Sequence, residues 1–216
     1  MPERLKLLIQ SKNPLIAITT SDEIRAIEQV RQVAKSMACS LMVWSLTEGL
    51  VPYDSQGVKR SPLVKGDSAV KALEHIKTCL GTTVFLFKDL APHGKDAKVY
   101  RLLRDMMPIC REQRSTILLV DSLPLPDDLK RLTIRYELPW PSTTELEEVI
   151  RNTYRTISAE VYTEVTSKIT AKHLELLVQS LRGLTHAEAE RVVASVIYDD
   201  YRLDESDLPR VIESKR

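Results

Sequence analysis

Asn13-Pro14-Leu15-Ile16-Ala17-Ile18-Thr19-Thr20-Ser21-Asp22-Glu23-Ile24 is the stretch on which the reading of this chain turns. The residue before a proline avoids the α region, so the short amphipathic helix spaced by Leu5, Leu8 and Ile9 stops before Asn13-Pro14. Leu15 to Thr19 is an apolar, partly β-branched run between that proline and a polar Thr-Ser-Asp triplet, which predicts a buried strand. Ser21 or Asp22 is then placed to cap a helix with Ile24, Ile27, Val30, Val33 and Ala34 on its inner face.

The same unit recurs downstream. Strands are predicted at 41–46, 82–87 and 116–120, with a short one at 134–138 closed by Pro139 and Pro141. Residues 49–66 carry proline and glycine and read as a loop or a short ribbon. Asp67 or Ser68 caps a helix through Leu73, Ile76 and Leu80, and a longer helix lies near 96–113. Strands alternating with helices, with apolar rather than alternating strands, indicate an α/β fold with a parallel sheet covered on both faces. The first strand is expected near the centre, beside the strands at 83–88 and 116–120.

Beyond Pro141 no convincing strand follows. Ser142 with Glu145, and Thr185 with Glu188, form two capping-box patterns, and a helix between them runs from Ala171 to Leu181 and ends at Gly183. The organisation expected is a sheet domain over residues 1–141, a small all-helical domain over 142–204, and a linker or frayed tail over 205–216.

Composition narrows the function. The net charge is +1, so no global field draws the chain to duplex DNA or an anionic membrane. Cys39, Cys79 and Cys110 are odd in number and form no CxxC pair, which fits a reduced chain. His75, His93, His173 and His186 have no zinc spacing. The start, MPERLKLLIQSKNP, has charges that break up any signal core, and no apolar run nears the ~20 residues of a membrane span, so a cytoplasmic location is expected.

Four passages carry a family resemblance. Leu86-Phe87-Lys88-Asp89-Leu90 resembles a strand ending in a Walker B acid. Val120-Asp121-Ser122-Leu123-Pro124 resembles a sensor-1 strand and its exit. Tyr136-Glu137-Leu138-Pro139-Trp140-Pro141 resembles the passage into the lid of an AAA+ module, and Gly183-Leu184-Thr185 the start of its sensor-2 helix. More closely, Asn13-Pro14-Leu15-Ile16-Ala17-Ile18-Thr19-Thr20, Val43-Trp44-Ser45-Leu46-Thr47-Glu48-Gly49-Leu50, Val84-Phe85-Leu86-Phe87-Lys88-Asp89-Leu90 and Gly183-Leu184-Thr185 resemble the AAA+ ATPases of the chloroplast and cyanobacterial hypothetical open reading frame 46 type, across roughly residues 4–210. The resemblance implies a P-loop-like αβα domain with a helical lid. It further implies a half lying N-terminal to a complete ATPase module, packed on that module in cis or on neighbouring subunits of a homo-oligomer.

One departure bears on chemistry. A phosphate loop needs GxxxxGK[ST], because glycines let backbone N–H groups wrap the phosphates while lysine and the hydroxyl engage phosphate and Mg²⁺. Here Thr19-Thr20-Ser21-Asp22-Glu23 has neither glycine nor lysine, and two carboxylates stand where an anion would dock. Leucine follows Asp89 where a catalytic glutamate would stand. The chain is therefore expected to be no enzyme and to hold no cofactor, with ATP and magnesium confined to a C-terminal catalytic module. It would serve as a regulatory or assembly module. The alternative is a vestigial nucleotide- or nucleic-acid-binding domain; an independent small-molecule enzyme is the weakest reading, since no catalytic set stands out.

Individual residues have plainer readings too. Asp89 can be a metal-ligating relic or simply a strand-end residue fastening the next loop. Asp121 and Ser122 can orient a water or merely bond the adjacent turn. His93-Gly94-Lys95-Asp96 looks like a phosphate loop but lacks its first glycine and its hydroxyl. Trp44 suits the core, and Trp140 a wedge between sheet domain and lid. Arg101, Arg104, Arg111, Arg114, Lys130, Arg131 and Arg135 are interleaved with Asp105, Glu112, Asp127 and Asp128, the pattern of a solvated face. If an interface exists, Arg111, Arg114, Lys130 and Arg131 are its candidates.

Overall fold

The computed structural model describes residues 3–54, 56–66, 68–79 and 81–213. Asp67 and Leu80, read above as a helix cap and an inner-face residue, lie outside the described residues, as do the last three residues of the expected tail. The chain divides into two compact units, Met1–Leu138 and Pro139–Arg216.

In the first unit the elements run α1 (Glu3–Gln10), β1 (Leu15–Thr19), α2 (Glu23–Ser36), β2 (Ser40–Ser45), β3 (Gly49–Tyr53), α3 (Ala69–Ile76), β4 (Thr83–Lys88), α4 (Ala97–Gln113), β5 (Thr116–Asp121), α5 (Asp127–Lys130) and β6 (Ile134–Tyr136). Among the described residues the sheet has the order β3-β2-β4-β5-β1-β6. All its pairings are parallel except the β2–β3 ribbon, in which Leu41 faces Tyr53 and Ser45 faces Gly49.

The period-2 alternation of a strand sorts the apolar runs onto two faces. Leu15 and Ala17 of β1, Phe85 and Phe87 of β4, and Ile117 and Leu119 of β5 join the core under α3 and α4. Ile16, Ile18, Val84, Leu86, Leu118 and Val120 join the opposite core, under α1 and α2. Helices on both faces explain why these strands can be apolar at every position.

Two expectations for this unit need correction. β1 lies between β5 and β6, with Ile16 opposite both Leu118 and Ile134, so the strand at 83–88 is not its neighbour. β5, formed after β4, is inserted between them. Ile24 is 83% exposed rather than on the inner face of α2. That face is set by Ala26, Val30, Val33 and Ala34, and Ile24 precedes Ala26 by two residues, about 200° around the helix.

The second unit contains α6 (Thr143–Glu160), β7 (Thr166–Ser167), α7 (Ala171–Leu181), α8 (His186–Asp200), β8 (Arg202–Leu203) and α9 (Leu208–Glu213). Both capping boxes form: Ser142 and Thr185 each accept from the residue three ahead, while Glu145 and Glu188 reach back to the cap N–H. The core is built from Leu146, Val149, Ile150 and Ile157 of α6 with Leu177, Leu181, Val192, Val193, Val196 and Ile197 of α7 and α8. It is not wholly helical, because β7 and β8 pair in parallel over two residues.

The predicted frayed tail is also corrected. Residues 205–207 form a 3-10 turn and α9 follows, burying Val211 to 1% exposure in the second core. The polar look of this segment hid one inward valine. Trp140, expected to be wedged, is 63% exposed. Among the described residues no helix is long and apolar enough to cross a membrane.

Candidate functional site

In open parallel sheets, ligands bind at the carboxyl ends of the strands, where the strand order reverses. In the first unit that edge is formed by the segments leaving β1, β4 and β5. They carry Thr20 to Glu23, Lys88 and Asp89, and Asp121 and Ser122.

The connection from β1 to α2 is only Thr20-Ser21-Asp22. It is held at both ends: Thr20 N–H donates to the Asp121 carbonyl at 2.9 Å, and Asp22 N–H donates to Thr20 Oγ1 at 3.0 Å. Asp22, 6% exposed, accepts the Arg25 N–H on Oδ1 at 3.3 Å. The first-turn donors of a helix are otherwise orphaned and attract anions. Here a carboxylate of the chain itself occupies that position. Glu23 in the same turn engages Lys88 Nζ at 2.8 Å, so the lysine at the end of β4 faces an internal acid.

The turn after β4 is fastened from the neighbouring strand. Ala91 N–H donates to Asp121 Oδ1 at 2.6 Å, whereas Asp89 is exposed, sits at φ 50° and gives the turn no side-chain cap. The loop-fastening role proposed for Asp89 thus belongs to Asp121. Asp89 instead bonds through its backbone, N–H to the Val120 carbonyl at 2.9 Å. Ser122 is exposed.

Asp121 is 2% exposed, and its Oδ2 is buried without a hydrogen-bond partner. Its carboxyl is pushed up to about 6, chiefly by burial, with the Ala91 N–H opposing and the Asp89 charge adding to the rise. Among the described residues no group of three or more His, Cys, Asp or Glu side chains could hold a metal ion.

The His93–Asp96 segment forms no phosphate loop. It is a 3-10 turn, Ala91–Lys95, after which Asp96 caps α4 through the Lys98 N–H at 2.7 Å. Gly94 is there for packing, since a Cβ would come within 2.5 Å of Leu129 Cδ1. Trp44 is fully buried against Phe87, ring centroids 5.4 Å apart.

The candidate arginines do not converge on one site. Arg111 and Arg114 end α4 at the amino end of β5, whereas Lys130 belongs to the helix that follows the carboxyl end of β5 and pairs with Asp127 at 2.8 Å. Arg111, Arg114, Lys130 and Arg131 are all exposed. Arg101 pairs with Asp105 at 2.6 Å, as the interleaving suggested.

Sequence reading missed one buried polar set. Tyr136 OH donates to Gln29 Oε1 at 3.2 Å, and Arg25 and Gln29 are both buried on α2. The available signal was two polar residues four apart beside the apolar Ala26 and Val30.

A raised carboxyl favours its neutral form in the folded state. Its stabilising effect is complete below the unfolded value of ~3.9 and is lost as pH rises through about 6. Asp121→Asn keeps an acceptor for Ala91 and cannot ionise. Urea unfolding of both proteins at mildly acid and neutral pH should show the variant gaining on the wild type by about 2 kcal/mol as pH rises. Parallel profiles would contradict the assignment.

Residues 1–138 match the family described as SpoVK-like AAA ATPase, N-terminal domain, and residues 144–216 match its second domain. No curated protein shows significant similarity. Among solved structures, the chain resembles C. elegans PCH-2 at 13% identity and TM-score 0.56, covering 99% of this chain and 67% of that one. A Thermotoga maritima RuvB variant is similar at 15% identity and TM-score 0.55, covering 98% and 67%. A chain of the E. coli HORMA:CdnC:Trip13 complex is similar at 11% identity and TM-score 0.58, covering 98% and 85%. Identities this low speak for the fold alone. The family match spans both compact units in order, and the chain belongs to the SpoVK-like AAA ATPases, with their N-terminal and second domains.

Proposed function

We propose that this chain is a non-catalytic regulatory or assembly module of the AAA+ type, of the kind the open reading frame 46 resemblance implies. It would pack against a catalytic ATPase module in the same protein or in a neighbouring subunit. The observation that carries this reading is the Thr20–Asp22 connection, whose own carboxylate caps α2 where a nucleotide-binding chain would cradle phosphate. Two further features support it: Glu23 engages Lys88, and the buried Asp121 serves the backbone of a turn. ATP and magnesium then belong to the catalytic module.

Catalytic silence is the first test. The purified chain should show no ATP hydrolysis above a no-enzyme control, and calorimetric titration with Mg²⁺-ATP should give no heat of binding at sub-millimolar concentration. A stoichiometric micromolar binding heat would overturn the proposal.

Assembly is the second. Arginine is enriched among interface residues that dominate affinity, and Arg111, Arg114 and Arg131 are exposed. Replacing all three by glutamate should barely change melting, since exposed substitutions shift stability by about 0.5 kcal/mol or less each. In a longer protein that includes the ATPase module, the same change should impair oligomerisation or stimulated ATP turnover. Wild-type assembly and turnover would remove these residues from the interface.

A further inference from the structure

Among the described residues of the second unit, two buried polar atoms lack hydrogen-bond partners, and both flank the 3-10 turn that leads into α9. One is His173 Nδ1 on α7, the other Asp207 Oδ1 in the turn itself. Buried polar atoms without partners are uncommon and costly, so their coincidence at one seam needs a physical reason.

The seam is made of charges around an apolar anchor. Val211 is 1% exposed and packs in the core, with Leu208 partly buried beside it. His173 Nε2 meets Glu205 Oε2 at 2.9 Å, joining α7 to the turn. Asp207, itself 1% exposed, accepts the Asp204 N–H on Oδ2 at 2.8 Å. Its other oxygen has Arg210 Nη1 only at 3.9 Å, and that guanidinium is drawn to Asp199 of α8 at 2.6 Å. Asp200 of α8 and Asp204 add negative charge around Asp207, while Lys168 and Arg202, from the β7 and β8 ends, act on Asp204.

We propose that residues 205–213 form a proton-operated clasp on α7 and α8, closed when Asp207 carries a proton and loosened when it loses it. A neutral Asp207 needs no counter-charge for its orphaned oxygen, whereas an ionised one leaves a buried charge beside two other carboxylates. The His173–Glu205 contact fastens the turn to α7 from the other side.

Burial, reinforced by Asp200 and Asp204 and opposed by the Asp204 N–H and Arg210, holds the Asp207 carboxyl above the usual carboxylate range. With the folded value raised, the stabilisation is present at low pH and is lost as pH climbs through that value. Opening would uncover the apolar site that Val211 fills.

Amide hydrogen exchange of the whole chain, normalised for intrinsic rates, tests this at about pH 4 and about pH 7. Protection across 205–213 should fall on going to the higher pH, by about tenfold for each unit by which a carboxyl is displaced. Asp207→Asn, which keeps an acceptor for Asp204, should retain the protection at the higher pH. Equal normalised protection of the wild type at both pH values overturns the proposal. So does an Asp207→Asn variant that keeps the full wild-type dependence. Should the variant unfold, the wild-type comparison still decides.

Discussion

The carboxylate of Asp22 on the first turn of α2 is the contact around which the carboxyl edge of the sheet is organised. A phosphate cradle needs a long glycine-rich turn, so that successive N–H groups point inward at an anion. Three residues cannot make that turn, and the side chain that ends them satisfies a helix donor itself. From this contact the others follow. Thr20 is held to Asp121, Asp121 to Ala91, and Asp89 to Val120, so backbone groups at the ends of β1, β4 and β5 are served from within the chain.

The fold tolerates this because its stability comes from elsewhere. Each unit has its own apolar core, and the sheet sorts Leu, Ile, Val and Phe onto two covered faces. Buried apolar area contributes about 25 cal/mol per Å², whether or not a ligand is bound. Asp121 is a cost within the first unit, since its buried charge burdens the folded state at neutral pH. Destabilising groups of this kind concentrate at functional edges of folds, and in this chain Asp121 persists at an edge that is otherwise closed.

Much of the architecture was legible in the sequence because the signals were strong and local. Apolar runs fixed the strands, and Ser142 with Glu145 and Thr185 with Glu188 fixed two helix starts to the residue. What failed depended on long-range partners. Nothing local says that β5 would insert between β1 and β4, or that Val211 would find a core from within a polar segment. Ile24 is apolar, but it stands about 200° around the helix from Ala26, on the side that faces solvent. At the candidate edge, the missing glycines and lysine were plain. The exchange of roles between Asp89 and Asp121 was not, because a hydrogen bond across 30 residues of sequence leaves no local trace.

The central claim is that the Arg25 N–H in the first turn of α2 is already engaged by Asp22, and amide resonances report this directly. Mg²⁺-ATP titrated against isotopically labelled chain should leave the Thr20 to Ala26 signals without saturable shifts. Saturable displacement of the Arg25 and Ala26 amides at sub-millimolar nucleotide would show that the first turn still receives phosphate, and would contradict the account.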